Sequence, residues 1–213
     1  MATVLIVGAS RGIGLETVKR ALGDGHIVRA LARSAQRIRI DHPKLTKVSA
    51  DALDQAALAC ALEGVDAVIQ TLGVSAGPDV ILKPVRLFSD ATRVLIAAMQ
   101  EAGVRRLVSV TGFGAGDSRG RGGCLYSAAF HLFLRRAYDD KDEQEQLIRE
   151  SGLDWVIARP VILFNGSRSG SYHVLVEPRS WRVGLISRAD VADFLVKQIG
   201  DDTYLGKTPV LTG

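Results

Sequence analysis

Apolar residues along this chain form short continuous runs that alternate with segments of helical periodicity. The run from Ala2 to Val7 ends at Gly8, and apolar residues at helical spacing then extend from Gly14 to Leu22 before Gly23. A short apolar run bounded by glycine is typical of a buried strand, and a period of 3.6 residues is typical of a helix. The N-terminal segment therefore predicts a strand, a tight turn and a helix.

The same alternation continues toward the C-terminus, although the last third of the chain is less regular. The remaining predicted strands are residues 27–32, 46–49, 67–71, 106–110, 155–158, 181–186 and 207–211. The remaining predicted helices are residues 54–62, 85–102, 126–150 (in one or two pieces) and 188–199. Strands that alternate with helices indicate a parallel sheet covered by helices on both faces, in a single domain spanning residues 1–213.

Composition and charge are those of a globular domain that binds small molecules. The chain has 213 residues, of which 47% are hydrophobic and 23% are charged, and a chain of this length buries a full core without disulfide or metal support. Lys and Arg exceed Asp and Glu by 27 to 23. Because the arginines are spread along the chain, the positive charge favours phosphorylated small molecules over nucleic acid as ligands.

Signals for membranes and metals are weak in this sequence. The apolar runs fall short of the roughly 18 residues that a membrane helix needs, and the N-terminus lacks the basic region of a signal peptide. Cys60 and Cys124 have no partner at metal-ligand spacing, so we expect reduced thiols and no metal. We therefore expect a cytoplasmic monomer or weak homodimer that binds a small-molecule acceptor and neither nucleic acid nor membrane.

The glycine-rich turn between the first strand and the first helix has the context of a dinucleotide-binding motif. Gly8 permits a tight turn, Gly12 lets backbone N–H groups approach a diphosphate, and Gly14 allows the helix to pack closely on the sheet. The helix N-terminus adds the positive end of its dipole. The spacing differs from G-x-G-x-x-G, and a turn without a ligand is the alternative. The candidate phosphate-binding residues are Gly8, Ser10, Arg11, Gly12, Ile13 and Gly14.

The end of the second strand indicates which dinucleotide is bound. NAD-binding proteins place Asp or Glu there, about 20 residues after the glycine motif, to hold the ribose 2′-hydroxyl. This chain has Arg33 and Ser34 at that point instead. A guanidinium binds a 2′-phosphate through paired hydrogen bonds, and Arg11 can assist from the turn, so we predict that NADP(H) is preferred over NAD(H). The alternative is that Arg33 is a solvated loop charge.

An ordered set of motifs covers nearly the whole chain. Besides the glycine turn it comprises S-A-D-A at 49–52, Q-T-L-G at 70–73, S-V-T-G at 109–112, K-x-x-x-E at 141–145, R-P at 159–160 and I-S-R-A-D-V-A at 186–192. These motifs resemble those of the atypical short-chain dehydrogenase/reductase superfamily, in particular its small NmrA-like and biliverdin-IXβ (flavin) reductase-like branch. The resemblance implies an α/β fold with a single Rossmann-like, doubly wound parallel sheet and a small C-terminal extension on the substrate side, near residues 112–125 and 161–182.

The resemblance also implies roles for residues at the carboxyl ends of the strands, where ligands bind in open parallel sheets. A turn-capping role is the alternative for Asp51. For Asp190 a helix cap or buried salt bridge is favoured over catalysis. The candidate residues are Asp51 and Ala52 beside the adenine, Thr71, Leu72 and Gly73 beside the inner ribose and nicotinamide, and Pro160, Val161 and Ile162 beside the carboxamide, through backbone groups.

The wider superfamily uses a Tyr-x-x-x-Lys pair on the helix after the fifth strand, in which the lysine binds the nicotinamide ribose and lowers the tyrosine pKa. Lys141 matches the lysine, but the residue four positions before it is Ala137. Tyr138 is one residue out of register, which rotates a side chain by about 100° around a helix. Tyr126 lacks a lysine partner. No tyrosine is therefore assigned as a proton donor.

A hydroxyl partner for Lys141 is expected at the end of the fifth strand. Two hydroxyl residues, Ser109 and Thr111, stand there, and Thr111 is the favoured catalytic candidate of the two. In the alternative, either hydroxyl only bonds a neighbouring backbone group. The six glycines of the segment 112–123 predict a mobile loop or lid, which would form the mouth of the substrate site together with residues 165–174.

The missing tyrosine bears on the reaction. Reduction of a carbonyl needs a positioned acid that contributes about 10²–10⁴ in rate. A flavin, quinone or tetrapyrrole instead spreads the arriving charge over a conjugated system, so that positioning matters most. The sequence therefore predicts an NADPH-dependent oxidoreductase that acts on a flat conjugated acceptor. The alternatives are a noncatalytic NADP(H)-binding redox-sensing regulator of the NmrA-like type and, less favoured because few residues follow Pro160, a nucleotide-sugar epimerase or dehydratase relative.

Overall fold

The computed structural model describes residues 1–73, 86–121 and 135–213. The strands in these ranges are β1 (Thr3–Val7), β2 (Ile27–Leu31), β3 (Leu45–Val48), β4 (Ala67–Gln70), β5 (Arg106–Val110), β6 (Asp154–Pro160), β7 (Ile162–Phe164), β8 (His173–Leu175), β9 (Leu185–Ser187) and β10 (Val210–Thr212). The α-helices are α1 (Gly12–Gly23), α2 (Gln55–Leu62), α3 (Leu87–Glu101), α4 (Arg135–Glu150) and α5 (Arg188–Lys197).

Eight strands form one sheet in the order β3-β2-β1-β4-β5-β6-β10-β8. Neighbouring strands are parallel except for β10 and β8, which are antiparallel. The chain winds outward from β1 to β3 on one side and from β4 to β6 on the other. This topology confirms the predicted Rossmann-like, doubly wound sheet, and it leaves a crevice between β1 and β4, where the winding direction reverses.

Alternate residues of the central strand β1 belong to different layers of the core. Val4 and Ile6 pack in the cluster that includes buried residues of α1 and α5, whereas Leu5 and Val7 pack in the cluster that includes α2 and α3. Successive side chains of a strand point to opposite faces, so a strand with helices on both faces is apolar throughout. The continuous apolar run at the N-terminus is the sequence signature of this position.

The C-terminal third departs most from the prediction. The sequence pattern does not predict β7 and β8, because each has only three residues and both are largely outside the buried core. The predicted strand 181–186 is wrong over its first four residues, since β9 begins at Leu185. The last strand begins at Val210 instead of residue 207, after Pro209, which has no N–H to donate to a ladder.

Two predicted helices begin outside the described residues. The first residue of the predicted helix 85–102 and the first nine residues of the predicted helix 126–150 fall there, as does Cys124. Over the residues that are described, α3 and α4 follow the predictions to within a residue at their C-terminal ends. No helix within residues 1–73, 86–121 and 135–213 is long and apolar enough to cross a bilayer.

Candidate active site

The carboxyl ends of β1, β2, β4 and β5 border a cavity of about 1030 Å³. Ligand cavities commonly measure about 300–1,000 Å³, so this one has room for a large ligand. Most predicted site residues line it: Gly8, Ser10, Arg11, Gly12, Ile13, Arg33, Ser34, Asp51, Ala52, Thr71, Leu72, Gly73, Thr111, Lys141 and Pro160. Predicted residues outside the lining are Gly14, Ser109, Val161 and Ile162. Residues to which the sequence assigned no role also line it, including Gln36, Arg37, Ser49, Ala50, Leu87, Leu163 and Arg188.

The glycine turn brings α1 directly against the ends of β1 and β4. Gly8 has a φ of +87°, and a Cβ on it would lie 2.8 Å from the carbonyl oxygen of Thr71. A Cβ on Gly14 would lie 2.2 Å from the carbonyl oxygen of Gly8. Both distances are shorter than a van der Waals contact, so any side chain at either position would push the helix away from the sheet. Gly14 does not line the cavity, but it sets the position of the glycine turn that does.

The N-terminus of α1 faces the cavity without a capping side chain. Arg11 precedes the helix and lines the cavity, and a guanidinium has no acceptor atom that could bond the N–H groups of the first turn. The turn is tied to the end of β2, because Ser34 Oγ donates a hydrogen bond of 3.0 Å to Ser10 Oγ. The helix end therefore keeps backbone donors available to an anion.

Three arginines on the cavity wall, Arg11 in the glycine turn and Arg33 and Arg37 after β2, form what we call the basic cluster. All three residues are exposed and line the cavity. None of the three forms an ion pair with a carboxylate in the described part of the chain, where seventeen other ion-pair contacts involve different groups. Three uncompensated guanidinium groups make this end of the cavity strongly attractive to a phosphate. Arg37 lies in the short 3-10 helix Ala35–Arg37, four residues after Arg33.

Asp51 borders the cavity and also shapes the turn before α2. Its Oδ1 accepts a hydrogen bond of 3.1 Å from the backbone N–H of Leu53. The cap of α2 itself is Asp54, whose Oδ1 accepts a 3.0 Å hydrogen bond from the N–H of Ala57. Asp51 therefore shapes the turn and borders the cavity, and its place beside the adenine stays a prediction.

The segment after β6 only partly meets its predicted role. Pro160 lines the cavity, but Val161 is buried in the core and its N–H donates to the carbonyl of Leu211 at 3.1 Å. Ile162 is 46% exposed and lies in β7, away from the cavity lining. Leu163 borders the cavity instead.

Lys141 projects from α4 to the end of β5. Its ammonium donates a hydrogen bond to the carbonyl oxygen of Thr111, and it lies 5.0 Å from the ring centroid of Phe88 and 5.1 Å from that of Tyr138. Burial lowers the pKa of Lys141 to about 8, against the opposing influence of the Glu145 carboxylate and, more weakly, of Asp140. A cation of reduced pKa therefore sits on the cavity wall.

Asp140, the neighbour of Lys141, joins α4 to the start of α3. This carboxylate is 5% exposed, and it accepts hydrogen bonds from the backbone N–H groups of Phe88 (2.8 Å) and Ser89 (3.2 Å). Burial raises the pKa of Asp140, although these hydrogen bonds oppose the shift. The residue thus caps a helix that is distant in sequence, which no local pattern predicts.

The two hydroxyl candidates, Ser109 in β5 and Thr111 directly after it, differ in their access to the cavity. Ser109 is fully buried behind the cavity, where its Oγ donates a 3.0 Å hydrogen bond to Gln70 and accepts a 3.1 Å hydrogen bond from Gln144. Thr111 borders the cavity, but its hydroxyl donates to Glu145 Oε1 at 2.8 Å. The prediction that Ser109 is catalytic is therefore wrong, because its hydroxyl does not reach the cavity. The Thr111 hydroxyl hydrogen is already bonded to the Glu145 carboxylate.

Behind Thr111 lies a buried ion pair between Glu145 and Arg159. Arg159 is 0% exposed, and its Nε and Nη2 donate to the two carboxylate oxygens of Glu145 at 2.9 and 2.5 Å. Arg159 Nη1 lies 2.6 Å from Asp117. A Cβ on Gly116 would lie 2.4 Å from Arg159 Nη2, so the loop can approach the pair only with glycine there. The sequence motifs contained these residues without indicating that they meet.

Tyr138 lies beside Lys141 despite its offset from the Tyr-x-x-x-Lys register. Residues three apart on a helix share a face, which explains the 5.1 Å distance between the tyrosine ring and the lysine ammonium. A Cβ on Gly112 would lie 2.5 Å from the Tyr138 hydroxyl oxygen, so this phenol packs on the glycine after β5. Tyr138 is not among the described residues that line the cavity. Ala137, at the expected register, is buried.

The described part of the glycine-rich loop, which the sequence predicts to be a mobile loop or lid, contacts α4 and β6. Phe113 is 0% exposed, and its N–H donates to the carbonyl of Pro160 at 2.9 Å. Asp142 of α4 accepts a 2.6 Å hydrogen bond from the N–H of Gly116, and it forms an ion pair with Arg119 at 2.5 Å. Residues 112–121 are thus packed against α4, and neither Phe113 nor Arg119 lines the cavity. Residues 122–125 lie outside the described residues.

The start of α5 reaches the cavity through Arg188. Ser187 caps the helix by accepting a 2.9 Å hydrogen bond from the N–H of Asp190. Asp190 in turn accepts hydrogen bonds from Ser187 Oγ (2.8 Å) and from the N–H groups of Ser169 and Gly170. Ser187 is thus the helix cap, and Asp190 supports that cap and the adjoining loop, which is a structural role as favoured over catalysis. Burial by itself would raise the pKa of this carboxyl, but the hydrogen bonds from Gly170, Ser187 and Ser169 hold it below its usual value.

The lining fits a nicotinamide dinucleotide along its whole length. The basic cluster suits a phosphorylated adenosine, the glycine turn and first turn of α1 suit a diphosphate, and the apolar wall with Lys141 suits the nicotinamide riboside. Within the described ranges no group of three or more His, Cys, Asp or Glu residues is arranged to hold a metal ion. The donor set is therefore one for anions and ribose hydroxyls.

A doubly wound sheet whose glycine turn and basic strand end border one crevice defines the class of Rossmann-fold nucleotide-binding proteins. A profile of the NAD(P)H-binding family matches residues 8–202. The chain belongs to this NAD(P)H-binding family.

Two curated relatives are longer than this chain. The (4-alkanoyl-5-oxo-2,5-dihydrofuran-3-yl)methyl phosphate reductase of Streptomyces griseus is 31% identical over 157 residues, which cover 74% of this chain and 46% of the relative. The photosystem II assembly factor Ycf39 of Synechocystis is 25% identical over 226 residues, which cover 99% of this chain and 62% of the relative. The chain thus spans about half to three fifths of the length of these relatives.

Solved structures of similar size share the fold. ChuY of Escherichia coli O157:H7, described as an anaerobilin reductase, has a TM-score of 0.79 at 25% identity, with 99% of this chain and 96% of that chain covered. A short-chain dehydrogenase/reductase of Veillonella parvula, solved in complex with NADP, has a TM-score of 0.82 at 18% identity, with 100% and 94% covered. The family match and the likeness to ChuY agree with the resemblance to the reductase branch, and the likeness to the Veillonella protein shows the fold alone.

Proposed function

We propose that this protein is an NADPH-dependent oxidoreductase that transfers a hydride to a flat, conjugated acceptor such as a flavin, a quinone or a tetrapyrrole. The observation that carries the proposal is the placement of an unpaired basic cluster and of Lys141 on the walls of one cavity. The cluster supplies a site for a 2′-phosphate, and Lys141 supplies a cation at the opposite end.

The preference for NADPH is supported by charge at the end of β2. Arg11, Arg33 and Arg37 line the cavity there, and the nearest lining carboxylate in the sequence is Asp51, which lies after the next strand. A 2′-phosphate would receive charge-assisted hydrogen bonds from these guanidinium groups. The ribose hydroxyl of NADH would find no carboxylate at the position that NAD-binding proteins use.

The choice of acceptor is supported by the groups that face the reacting end. Thr111 donates its hydroxyl hydrogen to Glu145, and Ala137 replaces the tyrosine of the Tyr-x-x-x-Lys pair. The cavity wall here offers a positioned cation, Lys141, and no positioned hydroxyl acid among its described residues. An acceptor that spreads negative charge over a conjugated system depends least on such an acid.

The nicotinamide cofactor supplies the hydride when it is bound. The chain's own residues bind and orient the reactants: Lys141 holds a ribose hydroxyl, and Leu72 and Leu163 provide apolar surface on the cavity wall. The name of ChuY as an anaerobilin reductase concerns a tetrapyrrole-type acceptor in that protein. It supports the same chemical class of acceptor here.

The proposal is tested by steady-state oxidation of NADPH in the presence of FMN, a benzoquinone, biliverdin and, for comparison, simple aldehydes and ketones. We expect turnover with at least one conjugated acceptor and little with the isolated carbonyl compounds. Faster turnover with isolated ketones would overturn the acceptor class. Tight cofactor binding without turnover on any acceptor would favour the noncatalytic, redox-sensing regulator.

A further inference from the structure

Arg188 approaches the glycine turn from α5, whereas Arg33 and Arg37 of the basic cluster follow β2. It is the first residue of α5 and lines the cavity. Its Nε lies 3.9 Å from the point that a Cβ on Gly12 would occupy, and Gly12 is the first residue of α1. The starts of two helices that are far apart in sequence therefore meet at the turn, and a guanidinium fills the gap between them.

The charge of Arg188 has no carboxylate partner in the described part of the chain. Its Nη1 donates a 2.8 Å hydrogen bond to the neutral side-chain oxygen of Asn165. Nearby Arg20 and Arg168, by contrast, both pair with the buried carboxylate of Asp193, at 2.9 and 3.0 Å. An arginine that is held by an amide keeps its full positive charge available to an anion in the cavity.

The position of Arg188 is set by a rigid helix start. Ser187 and Asp190 form reciprocal hydrogen bonds across the first turn of α5, in the manner of a capping box. Asp190 also accepts the N–H groups of Ser169 and Gly170, so the loop that carries Asn165 is anchored to the same turn. The guanidinium is therefore oriented from both its backbone and its tip.

We infer that Arg188 binds the diphosphate of the dinucleotide and closes the phosphate site from the side facing away from β2. The inference rests on the proposed function, because it assumes a dinucleotide in this cavity. Gly12 lets the phosphate approach α1, and Arg188 meets the same phosphate from α5. Arg33, at the end of β2, recognises a different part of the cofactor.

This division of roles gives a specific signature. NADPH and NADH share the diphosphate and differ in the 2′-phosphate. Loss of Arg188 therefore weakens both cofactors by the same factor, about tenfold to a hundredfold for a charged hydrogen-bonding group. Loss of Arg33 weakens NADPH only. The ratio of the NADPH and NADH dissociation constants is therefore unchanged when Arg188 is lost and shifted when Arg33 is lost.

The experiment is isothermal titration of NADPH and NADH into the wild-type protein and into the variants Arg188→Ala, Arg188→Lys, Asn165→Asp and Arg168→Ala. Arg188→Ala is expected to weaken both cofactors equally, and Arg188→Lys to recover part of the loss because it keeps the charge. Asn165→Asp places a carboxylate on the guanidinium and is expected to weaken both cofactors in a chain that retains Arg188. Arg168→Ala is the matched control, since this arginine is paired with Asp193 and does not line the cavity.

Unchanged affinities in both Arg188→Ala and Asn165→Asp would overturn the inference, as would a loss confined to NADPH. A wild-type protein that binds neither cofactor would refute the proposed function instead, which separates the two failures. Thermal melting of each variant without ligand checks the fold, and an Arg188→Ala variant that melts early is replaced in the comparison by Asn165→Asp, whose site is exposed.

Discussion

Thr111 donates its hydroxyl hydrogen to Glu145 over 2.8 Å, and Glu145 is itself held by two hydrogen bonds from the fully buried Arg159. The main-chain oxygen of the same threonine accepts a hydrogen bond from Lys141. One residue at the end of β5 thus connects the cavity wall to a buried ion pair. The geometry of the cavity wall beside Lys141 therefore depends on the ion pair between Glu145 and Arg159, which does not line the cavity.

We predict that removal of Arg159 is severely destabilising. In Arg159→Met the Glu145 carboxylate stays buried without its main partner, which typically costs about 3–5 kcal/mol in the free energy of unfolding. Urea denaturation followed by circular dichroism measures the change. Arg105→Met is the control, because the Arg105 ion pair with Asp154 is solvent-exposed and should leave the unfolding free energy nearly unchanged. Equal effects of the two substitutions would contradict the prediction.

The reduced pKa of Lys141 predicts a pH dependence within an accessible range. Burial lowers this pKa to about 8, so the charged fraction of Lys141 falls as the pH rises through that value. Cofactor affinity should therefore be highest below pH 8 and decline above it. Calorimetric titration of NADPH at pH values about 1.5 units below and above the lysine pKa measures this change in affinity. Lys141→Arg keeps its charge throughout this range and should show a flatter profile; identical profiles would count against a role for the lysine charge.

Substitution of Tyr138 by Phe tests whether the Tyr138 hydroxyl is the proton donor of the reaction. The phenol lies beside Lys141 but packs on Gly112 and is outside the described cavity lining. We therefore expect Tyr138→Phe to lower kcat on a conjugated acceptor by less than about tenfold, far from the roughly 10²–10⁴ loss that follows removal of a general acid. Steady-state kinetics measure the ratio. A loss of a thousandfold or so would identify Tyr138 as the proton donor instead.

Arg33→Ala should discriminate between the two cofactors. Loss of a charged contact to the 2′-phosphate is expected to weaken NADPH by about 1.5–3 kcal/mol and to leave NADH unchanged. Arg39→Ala is a suitable control, because Arg39 is also exposed but does not line the cavity. Calorimetric titration of both cofactors provides the measurement. Equal weakening of NADPH and NADH by Arg33→Ala would refute the assignment.

Two glycines of α1 are expected to respond in opposite ways to alanine. A Cβ at Gly14 would lie 2.2 Å from the carbonyl oxygen of Gly8, so Gly14→Ala should destabilise the protein by about 1–3 kcal/mol or more through overpacking. A Cβ at Gly23 meets nothing within 4 Å, and Gly23→Ala should stabilise the protein by up to about 1 kcal/mol because the unfolded chain loses freedom. Urea denaturation measures the change in the unfolding free energy of both variants, and a change of the opposite sign in either would contradict the prediction.

Elements with a strong local signal were predictable from the sequence. The apolar run ending at Val7 marks a strand buried on both faces, and the turn from Gly8 to Gly14 marks the start of α1. The short strands β7 and β8 were not predictable, because three partly exposed residues have no periodicity to detect. Their position depends on pairing with β9 and β10, which lie later in the chain.

The candidate site divides along the same line. The lining residues of the glycine turn and of the strand ends were predictable, because in a parallel sheet the carboxyl ends of the strands share one edge. Arg188 was not, since nothing near residue 188 indicates that α5 packs beside α1. The packing of Tyr138 on Gly112 also depends on two distant segments, so the one-residue offset from the Tyr-x-x-x-Lys register could not show what this side chain contacts.

Local patterns of apolar residues and glycines were sufficient to predict the alternation of strands and helices and the glycine turn after β1, because these features depend on neighbours a few residues away. The pairing of Arg159 with Glu145, the capping of α3 by Asp140 and the approach of Arg188 to Gly12 were decided only by the folded chain. Each joins groups that are distant in sequence, and their strength comes from burial and orientation, which exist only once the helices have packed on the sheet.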